Sequence, residues 1–147
     1  MLSHAEVQRR VLTIVCTGDD MAPLADYLSP DHALRQSIVE GLPPGIGPTI
    51  GVAKLYRRAL PRMELTIDLQ LSEPGRAVTR FRIAAEHEDK LGAIAPTGAR
   101  IEATGMLESR FDESGRAVES WLEVSALGVL RGLGVIEMRN PVLVVES

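Results

Sequence analysis

The sequence predicts an α+β fold in which a long curved sheet, antiparallel or mixed, wraps around N-terminal helices and leaves one internal pocket. Three observations predict it. Apolar residues recur at helical spacing up to about residue 60, and from Arg62 onward they alternate with period two. The alternating runs follow one another through short connections, so helices come first and antiparallel strands after them, with none of the strand–helix alternation of a parallel sheet. A sheet of that length twists and curls, and a cone closed by helices is one natural outcome.

The elements follow in order. Ser3 caps a first helix and Glu6 completes a capping box, with Val7, Val11, Leu12 and Val15 on one apolar stripe. Residues 17–20 end it. A shorter helix over residues 22–28 stops at Ser29-Pro30-Asp31. Residues 31–40 fit an extended segment as well as a helical turn. Residues 41–48 hold three Gly and three Pro, which makes them a loop and a candidate lid or rim. A third helix spans residues 49–60, with Ile50, Ala53, Leu55 and Tyr56 available for packing, until Pro61 stops it.

The first strand alternates Met63, Leu65, Ile67, Leu69 and Leu71 with Glu64, Thr66, Asp68 and Gln70, the pattern of a half-buried strand. After the Glu73-Pro74-Gly75 turn, Thr79, Phe81, Ile83, Ala85 and His87 share a face while Arg80 and Arg82 point away. A connection over residues 91–98 leads to a hairpin whose turn is Asp112-Glu113-Ser114-Gly115. Its second strand places Glu119, Trp121, Glu123 and Ser125 on one face, with Val118, Leu122 and Val124 on the other. A face carrying the chain's one Trp and two carboxylates reads as the wall of a mixed polar and apolar cavity. The Val142–Val145 run reads as an edge strand or a cover for the barrel mouth.

Composition bounds the function. The chain has the length of one domain, 1–147, with helices over about 3–60, sheet over about 62–131 and an extension at 135–147. A net charge of −4 with scattered basic residues lacks the stripe that nucleic acid requires. Its apolar runs are too short for a membrane span and residues 1–10 too polar for a signal peptide, so no membrane partner and a cytoplasmic location are expected. The single Cys16 rules out an internal disulfide and reads as a small buried hydrophobe. His4, His32 and His87 are too far apart for a zinc motif, and neither a phosphate loop nor a nucleophile elbow is present. No metal site is therefore expected.

The motifs Glu86-His87, Pro96-Thr97-Gly98, Arg110-Phe111, Glu119-Ser120-Trp121 and Gly132-Leu133-Gly134 resemble, in order, those of the SnoaL-like polyketide cyclases. That family belongs to the nuclear-transport-factor-like cone superfamily. Gly18-Asp19, Ser29-Pro30-Asp31 and Leu60-Pro61 agree with it in outline, so the resemblance covers nearly the whole chain. It implies a small cofactorless enzyme of secondary metabolism, acting on a hydrophobic intermediate by acid/base catalysis, and a homodimer paired through the outer sheet face. Limonene-epoxide hydrolase and polyether-cyclising enzymes share the cone, which makes epoxide opening the alternative chemistry.

The family's acid/base Asp falls at Ser125, whose neutral hydroxyl is a poor general base. Glu123, two residues earlier on the same face, is the candidate to replace it. Glu108, beside Met106 and Arg110, is the second candidate carboxylate, with its charge set by burial or by Arg110. The resemblance makes His87 a proton shuttle or carbonyl-polarising group and Trp121 a flat pocket wall. Phe81, Tyr27 and Asp31 complete the expected pocket, Asp31 doubling as an ordinary turn residue. A solvated Glu123, a surface Glu108–Arg110 pair and a rim His87 would instead mark a non-catalytic binding or assembly protein that has lost the Asp.

Overall fold

Helix α1 (His4–Thr17) starts where the Ser3 hydroxyl accepts the Glu6 N–H at 3.1 Å, the cap expected there. The structure is a computed structural model and describes residues 1–37 and 39–135. The expected Val142–Val145 strand lies outside the described residues. After α1 the chain makes a 3-10 turn (Ala22–Asp26), shorter than the helix expected, and enters strand β1 (Leu28–Arg35). The undecided segment after Asp31 thus begins as a strand. Helix α2 (Ile46–Ala59) starts three residues before the sequence expectation, because Pro48 is tolerated in a helix's first turn. Strands β2 (Glu64–Glu73), β3 (Arg76–Glu86), β4 (Arg100–Phe111) and β5 (Ala117–Val124) follow, then helix α3 (Ala126–Gly132).

The five strands form one mixed sheet in the order β1-β5-β4-β3-β2. Strands β2 to β5 are antiparallel neighbours, and β1 closes the sheet by running parallel to β5. Helix α1 lies across the inner face against β2 and β3, and α2 packs on β1. The β4–β5 turn is the expected one: Gly115 takes φ of 85°, and the Asp112 carboxylate accepts the Ser114 and Arg116 N–H groups.

Parity of strand pairing decides which side chains look inward. On β4, Ile101, Ala103, Gly105, Leu107, Ser109 and Phe111 are buried, and their outward neighbours are Arg100, Glu102, Thr104, Met106, Glu108 and Arg110. Gly105 is required there because a Cβ would lie 2.8 Å from Cε2 of the Phe81 ring across the strand pair. Ser109 pairs with Ser120, Leu107 with Leu122 and Gly105 with Val124, so these β5 residues face the core. By the same register Glu108 faces Trp121 and Met106 faces Glu123 on the outside. The expectation that the Trp121 face lines the cavity is corrected here.

A second correction falls on β2. Asp68 is an extra residue between the pairs Ile67–Phe81 and Leu69–Arg80, a bulge that reverses the facing of everything after it. Leu65 and Ile67 pack inward as the alternation predicts, whereas Leu69 and Leu71 turn out to solvent, 45% and 62% exposed. Gln70, on the polar half of the pattern, turns in. The bulge residue is held by Arg82 through Nε at 2.9 Å and Nη2 at 3.0 Å, a bond that lowers the Asp68 carboxyl below its ordinary range.

Candidate active site

The cavity lies between α1, α2 and the inner face of the sheet, with a volume of about 100 Å³. Val7, Val11, Leu12 and Val15 of the α1 stripe form one wall, and Leu24, Leu28, Leu34, Val52, Ala53 and Tyr56 another. Leu107, Phe111, Ala117 and Leu122 close it from the sheet. Burial raises the Tyr56 phenol above its ordinary pKa, so it is neutral near pH 7. Against this apolar lining stand five further polar side chains: Gln8, His32, Thr49, Ser109 and Ser120.

These five are bonded to one another. His32, 2% exposed, is held at Nδ1 by the Thr49 hydroxyl and at Nε2 by the Ser120 hydroxyl, each at 2.9 Å. Ser120 Oγ is 2.8 Å from Ser109 Oγ. The Gln8 amide nitrogen lies 3.0 Å from Ser109 Oγ and from the carbonyls of Ala77 and Leu107, and its oxygen accepts the Thr79 hydroxyl at 2.7 Å. Gln70, delivered inward by the bulge, donates to Thr79 at 2.9 Å. At the other end the Thr49 hydroxyl donates to the Gly45 carbonyl at 3.3 Å, while the Gly45 N–H donates to the His32 carbonyl. The end of the expected lid segment is thus tied beside His32.

Burial lowers the His32 pKa from 6.5 to about 4, against a weaker pull upward from Glu119. His32 is a neutral imidazole at pH 7. Because the folded value lies below the unfolded one, the unfolded chain takes up its proton first as pH falls, and stability is lost between about 6.5 and 4. Between about pH 7.5 and pH 5 the His32 contribution falls by about 2 kcal/mol. Urea unfolding at both pH values is expected to show that loss in wild type beyond what His32→Gln shows. Equal pH dependence in the two proteins would refute it.

None of the ten residues singled out in the sequence lines the cavity. Glu108, Glu123, Trp121, Met106 and Arg110 come together, but on the outer sheet face. Glu108 bonds Arg76 at 3.0 Å rather than Arg110, and Arg110 reaches Glu119 at 3.8 Å. Ser125 is exposed at the start of α3, beyond the last inward residue of β5. Phe81 is 3% exposed and packs with Leu12 and Leu107 over Gly105, a core role. Tyr27 packs at the edge of the α1 cluster, with its hydroxyl accepting from Arg10 at 3.2 Å. Asp31 is exposed within strand β1, with its N–H on Ser29 Oγ, so it is neither a pocket residue nor the turn residue expected.

His87 is fully buried away from the cavity. Its Nδ1 accepts the Thr97 N–H at 3.1 Å and lies 2.9 Å from the Thr97 hydroxyl. Its backbone pairs with Gly98 and Ala99. The Pro96-Thr97-Gly98 and His87 motifs therefore form one clip that closes the β3–β4 connection. Cys16 is buried, which pushes its thiol up to about 11, in keeping with an inert hydrophobe.

The sequence did hold signals for the missed residues. Gln8 is a polar residue inside the apolar stripe of α1, and Ser109 and Ser120 occupy inward positions of period-two runs. His32 alternates with Leu34 in the segment whose structure the pattern left open.

A five-stranded mixed sheet backed by helices, with a pocket between them, is the architecture of the nuclear-transport-factor-like α+β class. Within it, the model of the SnoaL-like polyketide cyclase family matches residues 5–133, and the chain belongs to that family. Its backbone is similar to TsrD from Streptomyces laurentii at 20% identity and a TM-score of 0.78, covering 89% of this chain and 94% of that one. It is similar to a protein of Jannaschia sp. CCS1 assigned as a SnoaL-like polyketide cyclase, at 14% identity and TM-score 0.76, covering 91% and 93%. A SnoaL-like polyketide cyclase from Agrobacterium tumefaciens matches at 13% identity and TM-score 0.73, covering 91% and 100%. No curated protein matches the chain. Among the described residues there is no group of three metal-ligating side chains and no helix long and apolar enough to cross a membrane.

Proposed function

We propose that the cavity carries out a cyclase or isomerase reaction on the reacting end of a hydrophobic, polyketide-type intermediate, without a cofactor, with His32 as the acid/base group. One observation carries this reading: a buried, neutral imidazole lines a largely apolar cavity, with both ring nitrogens engaged by hydroxyls. Ring closure by an aldol step needs a proton removed beside a carbonyl and one delivered to the oxygen formed. A neutral imidazole takes the first, and the enolate's charge beside it favours the imidazolium that results. The apolar walls exclude the water that would compete for these charges. A volume of about 100 Å³ is below the roughly 300–1,000 Å³ of a drug-sized site, so one ring of the substrate enters and the rest lies toward the mouth. Epoxide opening calls for an acid at the leaving oxygen, and no carboxyl lines the cavity among the described residues.

The test separates this site from the outer face. With 2-acetyl-1-tetralone and longer polyketone analogues as substrates, the double variant Glu108→Gln/Glu123→Gln is expected to keep kcat/KM within about threefold of wild type, the behaviour of groups outside the transition state. A loss of a hundredfold or more would return the chemistry to those carboxylates.

The homodimer expected from the resemblance has a surface to use. Leu69, Leu71, Met106 and Trp121 are all exposed on the outer face, where cross-strand pairs join Leu71, Val78, Glu108 and Trp121 into one row. Trp121→Glu is expected to convert a dimer into a monomer in light scattering, since aromatic anchors dominate such interfaces. An unchanged mass would refute pairing through this face.

A further inference from the structure

The buried hydrogen-bond chain has a direction, and its ends set it. At one end the Gln8 nitrogen lies 3.0 Å from two backbone carbonyls, which only accept, so that atom is the amide nitrogen and can only donate. At the other end the Gly45 carbonyl can only accept from Thr49. Thr49 spends its single proton on Gly45, so it accepts from His32, and Nδ1 carries the hydrogen. Nε2 is then a lone pair, and the hydroxyl beside it, Ser120, donates to it. Ser120 in turn accepts from Ser109, whose own neighbour Gln8 cannot accept a proton. The reverse polarity would leave the Ser109 proton aimed at Gln8, which cannot accept it, and the Gly45 carbonyl with the Thr49 N–H alone.

We propose that Ser120 is the proton relay between the cavity's occupant and His32, and that Thr49, anchored on Gly45, is the positioning residue that sets the ring's tautomer. This deepens the acid/base reading of the cavity and rests on it. The Nε2 lone pair is already occupied by the Ser120 proton, so a substrate proton reaches the ring through that hydroxyl. As Ser120 Oγ takes a proton from the carbon beside a carbonyl, its own proton passes to Nε2 and the C–H electron pair moves into the enolate. His32 is then an imidazolium with both N–H groups satisfied, Nδ1–H by Thr49 and Nε2–H by Ser120. The Ser120 hydroxyl now carries the substrate's proton and faces the enolate. Return of that proton to oxygen or carbon, with the Nε2 proton handed back to Ser120, restores the starting state, and all protons balance.

The test reads the ring and the transfer separately. Long-range ¹H–¹⁵N spectra of the full chain are expected to show the Nδ1–H tautomer at His32 near neutral pH. Thr49→Val is expected to shift it toward Nε2–H, and Thr49→Ser to restore it. Deuterium exchange at the α-carbon of 2-tetralone is the transfer readout: Ser120→Ala is expected to slow it by about tenfold or more while the Nδ1–H tautomer persists. An Nε2–H tautomer in wild type overturns the assignment. Undiminished exchange in Ser120→Ala overturns the relay while leaving His32 as a direct base. No exchange in wild type overturns the acid/base reading itself, and the relay with it. A covalent adduct of fluorophosphonate on Ser120 overturns the relay in favour of a nucleophile.

Discussion

Replacing His32 by Gln is expected to lower kcat/KM on a polyketone substrate by about 10²–10⁴-fold, the range for loss of a positioned general acid or base. Gln still offers a donor and an acceptor to Thr49 and Ser120, so the fold is expected to survive and the loss to report chemistry. The wild-type pH profile gives an independent check. Burial holds His32 at about 4, so activity is expected to stay level through neutrality and to fall on acidification toward that value, as the base is protonated. A titration near 6.5 would mean that the working histidine is a solvated one. Retained activity in His32→Gln would remove the cavity from the mechanism.

Gln8→Leu is expected to be the most destabilising single change in the cavity wall. The side chain is 1% exposed and serves two backbone carbonyls, one on β3 and one on β4, together with Ser109 and Thr79. Leucine matches it in size but leaves these groups facing hydrocarbon, and each buried polar group stripped of its partner costs about 1–3 kcal/mol. A loss of about 3 kcal/mol or more follows, which for a domain of this size lowers Tm by about 10 °C. Chemical and thermal unfolding check it. A loss below about 1 kcal/mol would mean that the strand carbonyls are satisfied without Gln8. The effect reaches the site because Ser109 and Ser120 lie between Gln8 and His32, so the His32 ring resonances are expected to move in the same variant.

Much of the fold was legible because periodicity is a local property. The Ser3 cap, the α1 stripe, the inward face of β3 and the Asp112–Gly115 turn each depend on residues within a few positions of one another, and each stands where expected. The motifs around Pro96-Thr97-Gly98 were legible too, but as markers of the family. Their physical work is to clip His87 into the β3–β4 connection. The site was far less legible. Trp121, Glu108 and Glu123 share a face as alternation requires, yet alternation cannot say whether that face looks in or out.

The sequence by itself determined the α+β class, the family, the strands β2 to β5 and which residues share a face on β3, β4 and β5, since these follow from local spacing and motif order. Only the tertiary structure decided which face is inside. The Ser109–Ser120 pairing turned Trp121 outward, one extra residue at Asp68 exchanged Leu69 and Leu71 for Gln70, and the parallel docking of β1 on β5 brought His32 to Ser120 across 88 positions of sequence. Pairing register is set by apolar burial summed over the whole sheet, so a shift of one residue in one strand moves every side chain beyond it to the other face.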